Sequence, residues 1–327
     1  MVEKSANLVL TYVIINSSFE GLRTMAKKAS RQRTSTAMYL MLAPYVLLLI
    51  MFGIVPVIMA IREVPAPSRV NADGGWDAFK IVSQDFRFLP ALQHVLQFMA
   101  IFVPVTLIFV IGMALMLDIK HSKWKKYLRL AYIVPASISG GVAVLVWYVI
   151  LQPTLSPIKI PLKWFGIVTS DQIWQTKNLY WIFALMAFFA VAGNWILIQY
   201  GSLQSISYEI LEAARMDGCS ALQLALRIKL PLIKKYIIYM GVLVFAGGLQ
   251  LFVEPQLLNT GVYQGIAEAW SPDQLAFELA FTNGDFGGAS ALSLMLLIPA
   301  LVGALIVIFK TDMFEEAEVA GKKKVQE

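Results

Sequence analysis

Residues 93–117 read QHVLQFMAIFVPVTLIFVIGMALML, an apolar run without a charged side chain. A helix needs about 20 such residues to cross the hydrocarbon core of a bilayer, which is about 30 Å thick. Five further runs meet the same criterion, at 37–61, 130–151, 179–201, 237–258 and 288–309. None of the six contains Lys or Arg, and Glu254 is their only acidic residue. The sequence therefore predicts an all-α membrane protein with six transmembrane helices.

The composition of the whole chain agrees with a lipid environment. Of its 327 residues, 58% are hydrophobic and 15% are charged, whereas soluble domains have about 45–50% apolar and about 25% charged residues. Cys219 is the only cysteine, and His94 and His121 are the only histidines. A disulfide framework and a Cys- or His-rich metal centre are therefore not expected. No acid–base cluster stands at the end of a run, so we predict neither catalytic nor metal-binding residues.

The basic residues predict the orientation of the chain, because cytoplasmic loops carry an excess of Lys and Arg. If the N-terminus is inside, the inner segments are 1–36, 118–129, 202–236 and 310–327, and they hold 20 of the 27 Lys and Arg residues. The outer segments hold the other 7; they are 62–92, 152–178 and 259–287. Both termini are therefore expected in the cytoplasm. This distribution also favours membrane topology over nucleic-acid binding as the reason for the net charge of +6.

Three regions follow from these runs. Residues 37–312 are expected to form the transmembrane domain, between a cytoplasmic N-terminal tail at 1–36 and a cytoplasmic C-terminal tail at 313–327. The apolar stretch 8–15 of the first tail is too short to cross a bilayer. It is either an interfacial helix or part of a dispensable extension, residues 1–24.

The third inner segment carries the pattern of two short helices. Residues 209–218 read EILEAARMDG, with acidic residues at the start, where they favour a helix N-terminus. Gly218 can adopt the left-handed conformation that closes such a helix. Ser220 and Gln223 have the spacing of a capping box at the start of the second helix. The sequence therefore predicts a helical hairpin at 209–231.

The same hairpin resembles the EAA loop of binding-protein-dependent ABC permeases. The matching positions are Glu212-Ala213-Ala214, Gly218, Ile228 and Leu230-Pro231. Asp217 before the glycine is similar to the carbohydrate-uptake branch, which often has alanine where this chain has Cys219. Gly201 to Ile206 resemble the approach to the loop in maltose-transporter-type membrane subunits. The first outer loop of those subunits is similar at Trp76, Phe79, Asp85 and Phe88, and the resemblance covers roughly 37–312.

The resemblance implies that the hairpin is a coupling helix, which docks on a cytosolic ATPase subunit. Glu212 would make a polar contact with that ATPase, Ala213 and Ala214 would allow close approach, and Asp217 and Gly218 would form the turn. The implied importer sits in the bacterial cytoplasmic (inner) membrane. It pairs two homologous permeases, expected as a heterodimer, with two ATPases and an extracytoplasmic substrate-binding protein.

Energy for transport is expected to come from the partner subunits. The chain contains no G-x-x-x-x-G-K-[ST] phosphate loop. We therefore predict a non-catalytic membrane subunit that binds no cofactor, with ATP and Mg used by the partner ATPase.

Polar and aromatic groups in the spans or just after them are candidates for a substrate path. They are Asn194, Gln199, Gln250, Phe252, Glu254 and Asn259. Each polar side chain either lines the path or makes a hydrogen bond between helices.

The branch resemblance implies a carbohydrate cargo, most often an oligosaccharide. The lack of Lys and Arg in the spans favours a neutral one, but an acidic, alginate-type cargo stays open because the partner permease lines half the path. The alternative function is a stand-alone secondary transporter or channel, which predicts charge pairs or an inverted repeat within the spans.

Overall fold

The computed structural model describes residues 38–68, 71, 73–119, 125–138, 140–164, 169–262 and 269–310. The predicted tails, 1–36 and 313–327, lie outside these described residues. Two compact units divide the chain at Ala60. The first contains most of an apolar helix, and the second, from Ile61 onward, contains the elements discussed below. Every regular element in the described part of the chain is helical.

The helices are numbered in chain order. The first four are α1 (Met38–Glu63, with a π-helical turn at Ile50–Ile54), α2 (Ala78–Gln84), α3 (Phe88–Ile119) and α4 (Lys125–Ser137). The next four are α5 (Gly140–Leu151), α6 (Lys159–Trp164), α7 (Ser170–Ile173) and α8 (Thr176–Gln204). The hairpin region contains α9 (Tyr208–Met216) and α10, which joins Ala221–Gln223, the π-helical Leu224–Lys229 and Leu230–Leu232. The last are α11 (Lys234–Leu249), α12 (Val253–Leu257, running into a π-helical turn at Leu258–Val262), α13 (Pro272–Phe281) and α14 (Phe286–Lys310).

The apolar helices match the six predicted runs. Five described helices are long and apolar enough to cross a membrane, and one bent pair brings the number to six. The five are Met38–Glu63, Phe88–Asp118, Lys177–Gln204, Lys234–Thr260 and Phe286–Ile306. The prediction of an all-α protein with six spans is confirmed when the bent pair is counted as one span.

The third predicted run, 130–151, is a bent pair of helices rather than one straight helix. The chain bends by 109° between Leu130–Ser137 and Gly140–Leu151. Gly140 has a φ of +61°, which an L side chain adopts only at a cost and which ends a right-handed helix. The apolar composition of the run is the same on both sides of the bend, so hydropathy alone did not reveal it.

The fifth span is interrupted between α11 and α12. Pro255 has no N–H to donate to the carbonyl of Leu251, and its ring would collide with that carbonyl in a continuous helix. The break therefore lies before the proline, where Phe252 has φ −134° and ψ −50°, outside helical geometry. Helix α12 packs against α5, which follows the bend in the third span. The two interrupted spans thus meet inside the second unit.

The core of the second unit lies where α3, α8 and α11 pack together. Phe98, Phe183 and Met240, one from each helix, are completely buried in one hydrophobic cluster. Helix α4 lies along α8 so closely that a Cβ on Gly193 would stand 2.3 Å from the carbonyl oxygen of Tyr132. Small residues that allow such approach are typical of helix packing in membranes.

Candidate functional site

The hairpin between the fourth and fifth spans folds as the sequence predicts. Helix α9 ends at Met216, and Gly218 follows with φ +79°. The N–H of Cys219 donates to the carbonyl of Ala214 at 3.1 Å, and the N–H of Gly218 donates to that of Arg215 at 3.0 Å. These two bonds form a Schellman motif, which satisfies the last carbonyls of the helix. The turn is therefore closed by local hydrogen bonds.

The second arm of the hairpin begins with the predicted capping box. The Ser220 hydroxyl accepts a hydrogen bond from the N–H of Gln223, and the Gln223 side chain accepts one from the N–H of Ser220. Behind this cap, Leu224 and Ala225 are buried, and the π-helical stretch that contains them packs against α9. The two arms thus support each other as one folded element.

The predicted coupling residues divide between two faces of α9. Glu212, Ala213, Asp217 and Gly218 are exposed, whereas Ala214 is buried. Glu212, Ala213 and Met216 share one exposed face, since residues three and four apart are neighbours on a helix. Met216 is 84% exposed. Ala214 therefore faces the chain's own interior, and only Ala213 of the pair is available to another protein.

The second arm is attached to the spans by a buried ion pair that sequence reasoning missed. Lys229 contacts the Asp118 carboxylate at the end of the second span. Gln204, at the end of the fourth span, donates from Nε2 to Oδ1 of the same carboxylate at 2.5 Å. A lysine between two spans is normally interpreted as a solvated charge, so the sequence offered no signal for this pair.

The broken fifth span borders two cavities, and Gln250 lines both. One has a volume of about 500 Å³ and includes Phe252, Asp273 and Phe277 among its lining residues. The other has about 290 Å³ and includes Glu254. Irregular backbone at membrane depth is tolerated where it is buried in protein or lines a water-filled cavity. The break at 250–252 therefore has the geometry of a polar site within a span.

Three of the six predicted path residues come together at these cavities: Gln250, Phe252 and Glu254. Gln199 does not, because it is fully buried and its Nε2 donates to the carbonyl of Tyr236 at 2.9 Å. It makes a hydrogen bond between the fourth and fifth spans instead. Asn194 is exposed and Asn259 is half-buried, and neither lines these two cavities.

The sequence relatives of this chain are sugar-transport permeases. No protein-family model matches the chain. The arabinooligosaccharides transport system permease protein AraP of Halalkalibacterium halodurans is 23% identical over 291 residues, which cover 86% of this chain and 89% of AraP. The diacetylchitobiose uptake system permease protein NgcF of Streptomyces coelicolor is 26% identical over 272 residues, 76% of this chain and 74% of NgcF. The chain is related to the permeases of ABC sugar transporters.

A solved structure shows the same fold. It is a bacterial alginate ABC transporter in complex with an alginate pentasaccharide-bound periplasmic protein. One of its chains aligns with a TM-score of 0.70 and 21% identity, over 84% of this chain and 93% of that chain. The chain therefore has the fold of an ABC permease.

Asp273 is the site residue that the sequence analysis overlooked. It lies in the first turn of α13, after the N-cap Ser271, whose side chain accepts a hydrogen bond from the N–H of Gln274. The Ser-Pro-Asp order at 271–273 is a helix-start signal, but the segment was interpreted only as an outer loop. Burial beside the larger cavity raises the pKa of Asp273 from 3.8 to about 6.

We expect the Asp273→Asn variant to be more stable than the parent chain at pH 8, but not at pH 4. Because the folded-state pKa of Asp273 is raised, the cost of burying its charge is absent below about pH 4 and fully present above about pH 6. Removing the charge should therefore gain on the order of 2 kcal/mol at pH 8. Thermal unfolding of the purified parent and variant at both pH values measures this difference in stability. Asp73→Asn, at an exposed position, is the control. An equal gain at both pH values would contradict the assignment.

Arg87 of the first predicted outer loop forms an ion pair with α13. Arg87 pairs with Asp85 at 2.8 Å and with Glu278 of α13 at 2.5 Å. The hydrogen bond from Arg87 holds the pKa of Asp85 below its usual value. Two further residues of that loop, Trp76 and Phe79, are stacked with ring centroids 6.1 Å apart. The Arg87–Glu278 pair connects α13, the helix that carries Asp273, to this loop.

Proposed function

We propose that this chain is the permease subunit of a binding-protein-dependent ABC importer and forms half of the transmembrane path for an oligosaccharide. The observation that carries the proposal is the hairpin at 208–232. It is a closed, folded element between two spans, and it presents Glu212 and Ala213 on an exposed face. The relatives, which are sugar-transport permeases, agree with this assignment. The described residues give no observation that favours a stand-alone transporter or channel.

The hairpin is suited to act as a lever between an ATPase and the spans. Glu212 can make an ionic or polar contact, and the small side chain of Ala213 beside it lets a partner surface approach closely. The adjacent Met216 offers an adaptable apolar contact. The Schellman turn and the capping box make the two arms rigid, so a force applied to α9 reaches the start of α11. Closure of the ATPases would in this way change the relative stability of two permease conformations.

The cavities at Gln250 are the proposed substrate path. Helix α11 has 16 residues, so Gln250 lies roughly 24 Å along the span from the hairpin at 1.5 Å per residue. Gln250 offers hydrogen bonds to sugar hydroxyls. The rings of Phe252 and Phe277, with centroids 5.4 Å apart, offer aromatic faces to the apolar faces of a sugar. Transporters of other folds also bind substrate where a span is interrupted.

The charge of the path favours a neutral oligosaccharide. Among the described residues that line the two cavities, Asp273 and Glu254 are the charged ones, and both are acidic. An anionic sugar would meet like charge there, which disfavours its binding. The proposed assembly supplies the other functions: a second homologous permease completes the path, two cytosolic ATPases use ATP and Mg, and an extracytoplasmic binding protein delivers the sugar. In the bacterial inner membrane this arrangement places both termini in the cytoplasm.

The coupling role is tested by Glu212→Lys. We expect the variant chain to reach the membrane but to lose most of its ATPase subunits on purification, because a cation replaces the anion on the docking face. The measurement is the ATPase content of the purified complex together with sugar uptake. Asp77→Lys makes the same charge change at an exposed position in the first predicted outer loop and should leave both unchanged. Unchanged assembly and uptake in Glu212→Lys would refute the coupling role.

Substrate charge is tested with the reconstituted importer and its binding protein. We expect neutral oligosaccharides, such as arabinooligosaccharides or diacetylchitobiose, to stimulate ATP hydrolysis. Alginate oligosaccharides of similar length should stimulate it less, because the path contains carboxylates and lacks basic groups in its described lining. Stimulation by the acidic oligomers alone would overturn the preference for a neutral cargo while leaving the coupling role intact.

A further inference from the structure

The Asp118–Lys229 pair joins the hairpin to two spans at once. The Lys229 side chain is 6% exposed and that of Asp118 is 8% exposed. Lys229 contacts Oδ2 of the carboxylate, while Oδ1 accepts the hydrogen bond from Gln204. Both carboxylate oxygens are therefore occupied, one by the hairpin and the other by the fourth span. Asp118 itself belongs to the second span.

The energetics of a buried pair favour a positioning role over a stabilising one. Removing two charges from water costs several kcal/mol for each ion, and their attraction often does no more than offset this cost. An apolar pair of similar volume commonly gives equal or greater stability. A charged pair is more directional than an apolar pair, because the Lys229 ammonium donates a hydrogen bond to an acceptor at one defined place, the Asp118 carboxylate.

The residues around the Asp118–Lys229 pair allow a movement of the hairpin to be transmitted to the spans. Ala114 of α3, Leu203 of α8 and Ile233, between α10 and α11, form a small buried cluster, and Leu230 of the hairpin packs against it. Apolar contacts of this kind can slide past one another, whereas the ion pair fixes the register of the hairpin against α3. Lys229 also lies five residues before Lys234, where α11 begins. A displacement of the hairpin therefore reaches α3 through Asp118 and α11 through the chain.

We propose that Asp118 and Lys229 are positioning residues that transmit movement of the hairpin to the second span, with Gln204 extending the connection to the fourth. This inference rests on the proposed importer function. Without the pair, the hairpin still docks on the ATPase, because Glu212 and Ala213 lie on the other arm. The spans then follow the hairpin less closely, and ATP hydrolysis no longer drives an equal amount of transport.

The experiment compares two double variants in the reconstituted importer with its binding protein. The first, Lys229→Met with Asp118→Leu, removes both charges. The second, Lys229→Asp with Asp118→Lys, exchanges them. For the apolar variant we expect normal ATPase content and continued hydrolysis, with sugar transported per ATP reduced at least about tenfold. The exchanged variant should recover most of that ratio, because it restores a charged connection.

Two results would overturn the proposal: an apolar variant with the parent ratio of transport to hydrolysis, or an exchanged variant that assembles but stays as uncoupled as the apolar one. If the apolar variant does not assemble, the exchanged variant alone tests the proposal. A ratio of sugar transported to ATP hydrolysed close to that of the parent would support the proposal, and a low ratio would contradict it. Failure of the importer function itself is distinguishable, because the parent chain would then neither co-purify with an ATPase nor couple sugar uptake to ATP hydrolysis.

Discussion

Replacing Gly193 by alanine should destabilise the folded chain by about 3 kcal/mol, the effect of severe overpacking. The new Cβ would lie 2.3 Å from the carbonyl oxygen of Tyr132 and 3.0 Å from the Cβ of Ala136. The obstacle is backbone, which cannot rotate away as a side chain can. Helices α4 and α8 must therefore separate, and the contacts along their length weaken.

The matched control for this prediction is Gly201→Ala on the same helix. A Cβ at Gly201 meets no atom within 4 Å, and alanine has the higher helix propensity, by about 1 kcal/mol. The apparent melting temperature in detergent should fall by roughly 5 °C or more for Gly193→Ala and should not fall for Gly201→Ala. Equal melting temperatures for the two variants would show that α4 and α8 are not in close contact.

The spans and the hairpin could be predicted because their signals are local. Six apolar runs without Lys or Arg predict where the chain crosses a bilayer, because burying a charged side chain in lipid is costly. The turn at Gly218 and the cap at Ser220 depend on residues within one helical turn of each other. Local patterns of this kind are read directly from the sequence, and the structure confirms the turn and the cap.

The bend and the buried pair could not be predicted because they depend on tertiary contacts. Pro135 lies inside α4, yet the large bend comes after it, at Gly140. The break before Pro255, by contrast, follows from the missing N–H and the ring of that proline. Asp118 and Lys229 are 111 residues apart, so no spacing rule connects them.

The same limit explains the mixed result for the predicted path residues. Gln199 and Gln250 have the same side chain in neighbouring spans, and sequence reasoning treated them alike. Gln199 faces α11 and is used in packing, whereas Gln250 stands where α11 ends and faces two cavities. Asp273 lines the larger of these cavities from an element outside the spans. The tertiary fold determines which polar groups lie together, and a hydropathy pattern does not predict this.

Replacing Gln250 by leucine should reduce sugar transport about tenfold or more, because one lost hydrogen bond to a buried polar group costs about 1–3 kcal/mol. Gln250 lines both cavities, and leucine has a similar size without hydrogen-bonding atoms. In the leucine variant, a sugar hydroxyl that passes the break would have no side-chain amide to bond with, at a place where water does not replace it. Gln250 lies far along the span from the hairpin, so ATPase content and basal hydrolysis should be unchanged.

The control is Asn194→Leu, which removes another side-chain amide from a neighbouring span. Asn194 is exposed and lines neither cavity, so transport should stay within about twofold of the parent, as for an ordinary surface substitution. Uptake of labelled sugar into vesicles at equal transporter content measures both variants. Loss of transport in Asn194→Leu, with normal transport in Gln250→Leu, would move the path from the break in the fifth span to the exposed face of α8. The contrast between the two amides therefore tests whether the interrupted backbone, rather than polarity within a span, marks the route of the sugar.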